Sequence, residues 1–285
     1  MKRAAAIVWV ILLAMPVWAA DGDGGYAGAQ FQIPIGARPA GMGGAYLGVS
    51  DDGAGPLYNP AGIVSADHKL FATSYRVMDL DRKLGYLTFL LPTRERSVIG
   101  INWHYFGSGS VQRRDSDGRP LDGELSYNNH AVSALFAKQF EDYLSLGMRA
   151  TYLHATFAEM KAFSIGIDGG VMLYVSNLLD RDRRELMPVQ DIRIGFVIKN
   201  IAAKYRWESG DYNVVYGGSL STEQEDEVPL EIGLGGSARF LNRKLLVAAD
   251  AYKNTEQDPR LHAGAEYFVV PELALRGGFS NGRLA

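Results

Sequence analysis

The chain contains no cysteine. That one absence excludes a disulfide framework, a thiolate metal site and a cysteine nucleophile together. Long apolar runs are equally scarce: beyond the first 20 residues none reaches the roughly 18 residues that a spanning helix needs. If the chain meets a membrane, it does so with strands. An excess of positive charge is missing too. Lys and Arg number 29 against 32 Asp and Glu, and no basic block is longer than Arg181–Arg184, so nucleic acid is not expected as a partner. No Gly-x-Ser-x-Gly nucleophile elbow occurs, and none of His68, His104, His130, His154 and His262 stands two or four residues from another. Neither an enzyme nor a metal or other cofactor site is expected.

What the chain has in quantity is glycine and tyrosine, 33 and 15 residues. Membrane barrels use both, glycine at tight inward positions and tyrosine at the two interfaces. The first residues read as an export address. Lys2 and Arg3 form a positive start, Ala4 to Met15 an apolar core, Pro16 a break, and Val17-Trp18-Ala19 a cleavage site. A signal peptide is expected at 1–19, with the mature protein carried to the outer membrane of a cell with two membranes.

From Lys69 onward about eleven segments alternate with period two. In Tyr143–His154, Leu144, Leu146, Met148, Ala150 and Tyr152 share one face, while Ser145, Gly147, Arg149 and Thr151 share the other. A helix would scatter both sets, whereas a strand separates them. Ile99 to Tyr105, Ile192 to Lys199, Leu230 to Gly235, Leu261 to Tyr267 and Leu273 to Gly278 repeat the pattern. A soluble sandwich also alternates. Here, though, the apolar faces carry Tyr or Trp near strand ends, and the polar faces mix glycines with single charges. The expectation is an all-β fold, an antiparallel transmembrane β-barrel spanning 69–285. Short turns are expected at Pro92–Arg96, Glu141–Asp142, Leu241–Arg243 and Pro271–Glu272, all on one side. Longer connections are expected at Met78–Arg82, Gly107–Asn128, Ala155–Lys161, Ile201–Glu227 and Asn254–Pro259. The charged Ser176–Gln190 connection is an exception on the short-turn side. About eleven strands would leave the C-terminus on the far side and the barrel incomplete at that end.

Residues 20–68 do not read as strand. Within them Gly36–Ile63 is rich in small residues, and Asn59-Pro60 followed by Gly62 is a strong turn signal. Such a segment suits a hatch folded back inside a barrel, where glycine permits close approach to the wall. Gly41-Met-Gly43-Gly-Ala-Tyr46 looks superficially like a dinucleotide fingerprint, but it lacks the third glycine and any preceding strand. Asp51-Asp52 lacks the alternating oxygen ligands of a calcium loop.

Arg38-Pro-Ala-Gly-Met-Gly-Gly-Ala, Asp51-Asp52 and Tyr58-Asn-Pro-Ala-Gly62 together resemble the N-terminal signature of FadL-like barrels, above all their PorV/PorQ branch. Ile194-Gly-Phe-Val-Ile-Lys-Asn200, Val228-Pro-Leu-Glu-Ile-Gly-Leu-Gly235 and His262-Ala-Gly-Ala-Glu-Tyr267 are similar to later blocks of that branch. The resemblance implies about 14 strands, of which about eleven are present here, around an N-terminal hatch. It places Arg38, Gly41, Gly43, Gly44, Asp51, Asp52, Asn59 and Pro60 in that hatch, close to any ligand. It also implies a non-catalytic role in type IX secretion, with a secreted protein or translocon component as partner beside outer-membrane lipid. The alternative it offers is a FadL-like channel for hydrophobic small molecules such as fatty acids. The alternation turns Arg149, Asp168, Arg193, Lys199, Glu231, Arg239, Asp250, Glu266 and Arg276 toward the lumen. Five are basic and four acidic, a balance that favours pairwise neutralisation between adjacent strands over a polar pathway or a set of hatch anchors.

Overall fold

The computed structural model describes residues 26–115, 117–179, 188–208, 223–280 and 283–284. The expected signal peptide, the Arg181–Arg184 block and part of the 201–227 connection lie outside them. The fold is all-β. Its strands are β1 (Leu70–Met78), β2 (Arg82–Pro92), β3 (Ser97–Gly107), β4 (Val111–Arg114), β5 (Pro120–Leu125), β6 (Tyr127–Phe140), β7 (Leu144–Phe157) and β8 (Met160–Tyr174). After these come β9 (Gln190–Ile201), β10 (Lys204–Glu208), β11 (Glu223–Glu227), β12 (Glu231–Phe240), β13 (Leu245–Asn254), β14 (Arg260–Val270), β15 (Leu273–Ser280) and β16 (Arg283–Leu284).

One antiparallel sheet runs β1-β2-β3-β6-β7-β8-β9-β12-β13-β14-β15-β16. The hairpin β10–β11 attaches beside β8, and β4–β5 forms a separate two-stranded sheet. Eleven strands on the main path have eight residues or more. Those eleven correspond to the alternating segments of the sequence. Among the described residues β1 pairs only with β2 and β16 only with β15, so the ladder does not close on itself. No helix among the described residues is long and apolar enough to cross a membrane.

Two connections expected to be long are tight. β1 passes to β2 through residues 79–81, with Leu80 and Asp81 at positive φ of 61° and 52°. β7 passes to β8 through Ala158 and Glu159 alone, with Ala158 at φ 54°. Left-handed backbone at a hairpin turn matches the twist of its strands, and it is usually announced by Asn-Gly or Asp-Gly. Neither turn carries such a pair, so the flanking polar residues read as loop.

The sheet is curled. The single segment 36–66 touches β1 and β2 at one end of the path and β14 and β15 at the other. A Cβ on Gly53 would sit 2.3 Å from the Ala72 side chain, and one on Gly278 would sit 2.1 Å from the Gly43 backbone. A flat sheet cannot bring β1 and β15 to one short segment. The sheet's convex face is apolar and exposed, while its concave face is mixed and buries polar groups beside Leu84, Leu90, Leu135 and Leu153. The convex face shows Ile101, Phe136, Met148, Tyr152, Ile165, Leu234, Leu261 and Leu275, all exposed, with Met148 at 50% and Ile165 at 67%. The concave face buries Thr88, Asn102, Ser133, Ser145, Asp168, Glu231, Asp250 and Glu266.

Candidate functional site

Residues 26–66 carry short helical turns instead of strands: Ala29–Gln32, the five-residue α1 (Ala37–Gly41), Gly55–Leu57 and Pro60–Ser65. Glycine at Gly36 and Gly43, with φ of 88° and 62°, brackets α1. At Gly43 a side chain is sterically excluded as well, since a Cβ would fall 2.4 Å from the Phe279 nitrogen. Gly41 packs on the Arg276 side chain, and Gly44 on His262, whose Nδ1 lies 2.7 Å from the Gly43 carbonyl oxygen.

The wall answers with glycines of its own. A Cβ on Gly147 would come 2.3 Å from the Ala61 nitrogen, and one on Gly170 would come 2.2 Å from Asn59 Oδ1. Asn59 is fully buried. Its Oδ1 accepts from the Ala61 N–H at 3.0 Å, capping the turn that Pro60 opens, as Asn at an N-cap and Pro at the first helical position do. Its Nδ2 donates to the carbonyls of Leu47 (3.3 Å) and of Val171 on β8 (3.0 Å). Ser145 Oγ on β7 donates to the Ala61 carbonyl at 2.9 Å. This half of the segment is thus tied to the middle of the sheet.

The other half is held by charge. Arg38 Nε and Nη2 donate to the two oxygens of Glu266 on β14 at 2.9 and 3.0 Å, and Nη1 reaches Asp51 Oδ1 at 2.6 Å. Glu266 is fully buried and accepts a further bond, 2.6 Å from Arg276 Nε on β15. Asp51 also faces Arg193 of β9 at 3.3 Å and Arg239 of β12 at 3.7 Å. Burial alone would raise the Asp51 carboxyl, but Arg38, Arg193 and Arg239 hold it below the ordinary carboxylate value. For Arg38, burial works against the charge. Tyr46, Asp51 and Glu266 reverse that, leaving the guanidinium protonated beyond its usual range. Asp52 works locally: Oδ2 accepts from the Tyr46 hydroxyl at 2.6 Å, and Oδ1 accepts from the Ala54 and Gly55 N–H groups at 2.9 and 3.2 Å. Asp250 on β13 accepts the Tyr46 and Leu47 N–H groups with Oδ2, at 2.5 and 2.8 Å.

All nine charges expected to face the lumen lie on the concave face, in two kinds of arrangement. Arg149–Asp168 and Lys199–Glu231 are directly opposed pairs on neighbouring strands, and Glu231 also meets Arg260. Glu266 and Arg276 form a third opposed pair, which Arg38 joins, whereas Arg193, Arg239 and Asp250 gather around Asp51 and the Tyr46–Leu47 backbone. Neutralisation between strands and contact with residues 36–66 therefore coexist. Tyr46, Arg260 and Gln32 were not singled out by the sequence. Gln32 accepts from Arg260 Nη1 at 2.9 Å and donates to Gln257 at 2.7 Å, which fastens residues 26–35 to the sheet. The only signal for Tyr46 was its place at the end of the Gly-Gly-Ala-Tyr run.

Between residues 26–35 and the inner faces of β3, β6, β7 and β8 lies a cavity of about 100 Å³. Beside it the wall is irregular. The β8–β9 register slips at Ile167/Gly169, and pairing resumes with β10 at Phe163↔Arg206. Asn200 and Ala202 take positive φ there, as bulges do. Side chains of β8 replace the missing ladder bonds: the Asn200 N–H donates to Asp168 Oδ1, and the Lys204 N–H to Ser164 Oγ, both at 2.8 Å. No protein-family model matches the chain, and no curated protein matches it.

Proposed function

We propose that the chain is an outer-membrane β-barrel protein whose N-terminal segment plugs the lumen, and that it acts without catalysis in protein secretion, in the manner of the PorV/PorQ branch it resembles. The observation that carries the membrane reading is the exposed apolar convex face of the sheet. That face is a broad band of exposed Ile, Leu, Phe and Met, while the concave face buries Glu, Asp, Ser and Asn together with Leu, Val and Ala. A soluble monomer rarely exposes a contiguous apolar patch beyond a few hundred Å², whereas a lipid-facing wall requires one. Tyr75, Trp103, Tyr105, Tyr152 and Tyr267 on the exposed face suit the interfaces.

The secretion role is supported by how little room is left beside the start of the N-terminal segment. The cavity under residues 26–35 holds about 100 Å³, against roughly 300–1,000 Å³ for ordinary small-molecule pockets. The hairpins β4–β5 and β10–β11 arise on the same side of the sheet, where an exported protein would meet them. Cell fractionation tests the first part: the protein belongs in the outer-membrane fraction with heat-modifiable gel mobility, and recovery as a soluble protein would end the barrel reading. Purification from native membranes tests the second. A stoichiometric exported protein is expected, and co-purifying lipid alone would shift the assignment to a FadL-like channel. That second reading has one observation in its favour. The bulged β9–β10 connection borders the cavity at Asn200 and Ala203, where a wall held by side-chain bonds opens more readily than a regular ladder.

A further inference from the structure

We infer that the cavity under residues 26–35 is a binding site for a small uncharged ligand of the primary carboxamide class. Asn102 and His104 on β3 line it and are buried, at 2% and 4% exposure. Oδ1 of the Asn102 carboxamide and Nε2 of His104 have no hydrogen-bond partner, and Asn102 Nδ2 has only the Tyr86 hydroxyl oxygen beside it. The nearby Tyr86 hydroxyl gives its hydrogen to the Gly53 carbonyl at 2.7 Å. Leaving such groups dry costs about 1–3 kcal/mol each, so their retention calls for a polar occupant.

The chemistry of the lining narrows that occupant. Asn102 offers one donor and one acceptor side by side, which a second carboxamide complements. Ser133 Oγ and Thr151 Oγ1, 2.9 Å apart on the neighbouring strands, add hydroxyls. The charged lining is already paired: Arg149 is closed on Asp168, and Lys199 and Arg260 share Glu231, so no charge is left without a counterpart for an ionic ligand. Phe31 covers the far side, its ring 5.4 Å from His104. Size agrees as well. An apolar cavity of about 150 Å³ admits benzene, so about 100 Å³ suits a molecule of about four heavy atoms such as acetamide.

This site does not rest on the secretion reading, because it needs neither a closed barrel nor a partner protein. The test uses the full-length, detergent-solubilised protein labelled with ¹⁵N-histidine, the His104 resonance being assigned by its loss in His104→Gln. Acetamide is expected to shift it saturably, while acetate and methylammonium bind about tenfold more weakly or worse. Asn102→Leu removes that carboxamide without changing side-chain size much and is expected to abolish the saturable shift. Should it fail to fold by gel mobility, Ser133→Val provides the second variant, with binding weakened about tenfold. A non-saturating shift in the wild type would mean that the cavity holds water only. Equal binding of acetate, or unchanged binding in the variants, would also overturn the assignment.

Discussion

Arg38 and Glu266 are separated by 228 positions in the chain, yet the geometry of their contact is that of a bidentate pair. Arg38→Ala would leave fully buried Glu266 with Arg276 alone and Asp51 with its two more distant arginines. Breaking a buried pair by removing one partner costs about 3–5 kcal/mol. The expected outcome is a lower thermal midpoint for heat-modifiable mobility, together with proteolytic cleavage inside 36–66. Arg38→Lys should recover little of the loss, since an ammonium cannot serve both Glu266 oxygens and Asp51 at once. Acid probes the same cluster. The Asp51 carboxyl lies below its ordinary value of 3.8 in the folded protein, so its contribution is fully present above that value and fades as pH falls through the lower folded value. Protease protection of the hatch should therefore persist through mildly acidic pH and be lost below 3.8. Loss near pH 6 would mean that another group controls the hatch. Nothing in the neighbourhood of Arg38 in sequence reveals its pairing with Glu266, which the curl of the sheet brings to it, while Asp51 is brought by the folding of 36–66 itself.

Strands were legible where their neighbours did not matter. Alternation in β7 and β14 separates the faces residue by residue, and the structure keeps that separation. The two tight turns at 79–81 and 158–159 were not legible, since left-handed Leu80, Asp81 and Ala158 are imposed by strand pairing and not by residue preference. The meaning of the strand glycines was only half legible: alternation puts Gly147 and Gly195 on the polar face, but only the docked hatch explains their lack of a side chain. Gly169 and Gly170 test this on one strand. A Cβ on Gly169, on the convex face, would meet nothing within 4 Å, whereas one on Gly170 would strike Asn59 and Pro60. Gly169→Val should be neutral or slightly stabilising, because valine suits a strand. Gly170→Val should cost about 1–3 kcal/mol through overpacking and release the hatch to protease. Equal effects of the two in urea unfolding would contradict the docking of Asn59 and Pro60 against β8.

At the scale of the molecule the decisive quantity is what the convex face meets. Met148 is 50% exposed on β7, four residues from the turn that begins the strand, or about 13 Å along a strand rising about 3.3 Å per residue. With the usual barrel tilt that height is close to the middle of an apolar band about 25 Å tall. The two environments give opposite expectations for one substitution. If the convex face meets water, Met148→Arg exchanges one half-exposed side chain for another and changes stability by no more than about 0.5 kcal/mol. If it meets lipid, an arginine near the midplane costs about 2–4 kcal/mol. Arg149, the next residue, already shows where this strand accepts a charge: on the concave face, against Asp168. The measurement is urea unfolding of wild type and Met148→Arg from phospholipid vesicles, with Lys161→Arg on the exposed end of β8 as the matched control. A large loss for Met148→Arg and none for Lys161→Arg is the expected pair. Two neutral substitutions would mean that the apolar convex face is covered by something other than a bilayer, and the barrel reading would then have to be abandoned.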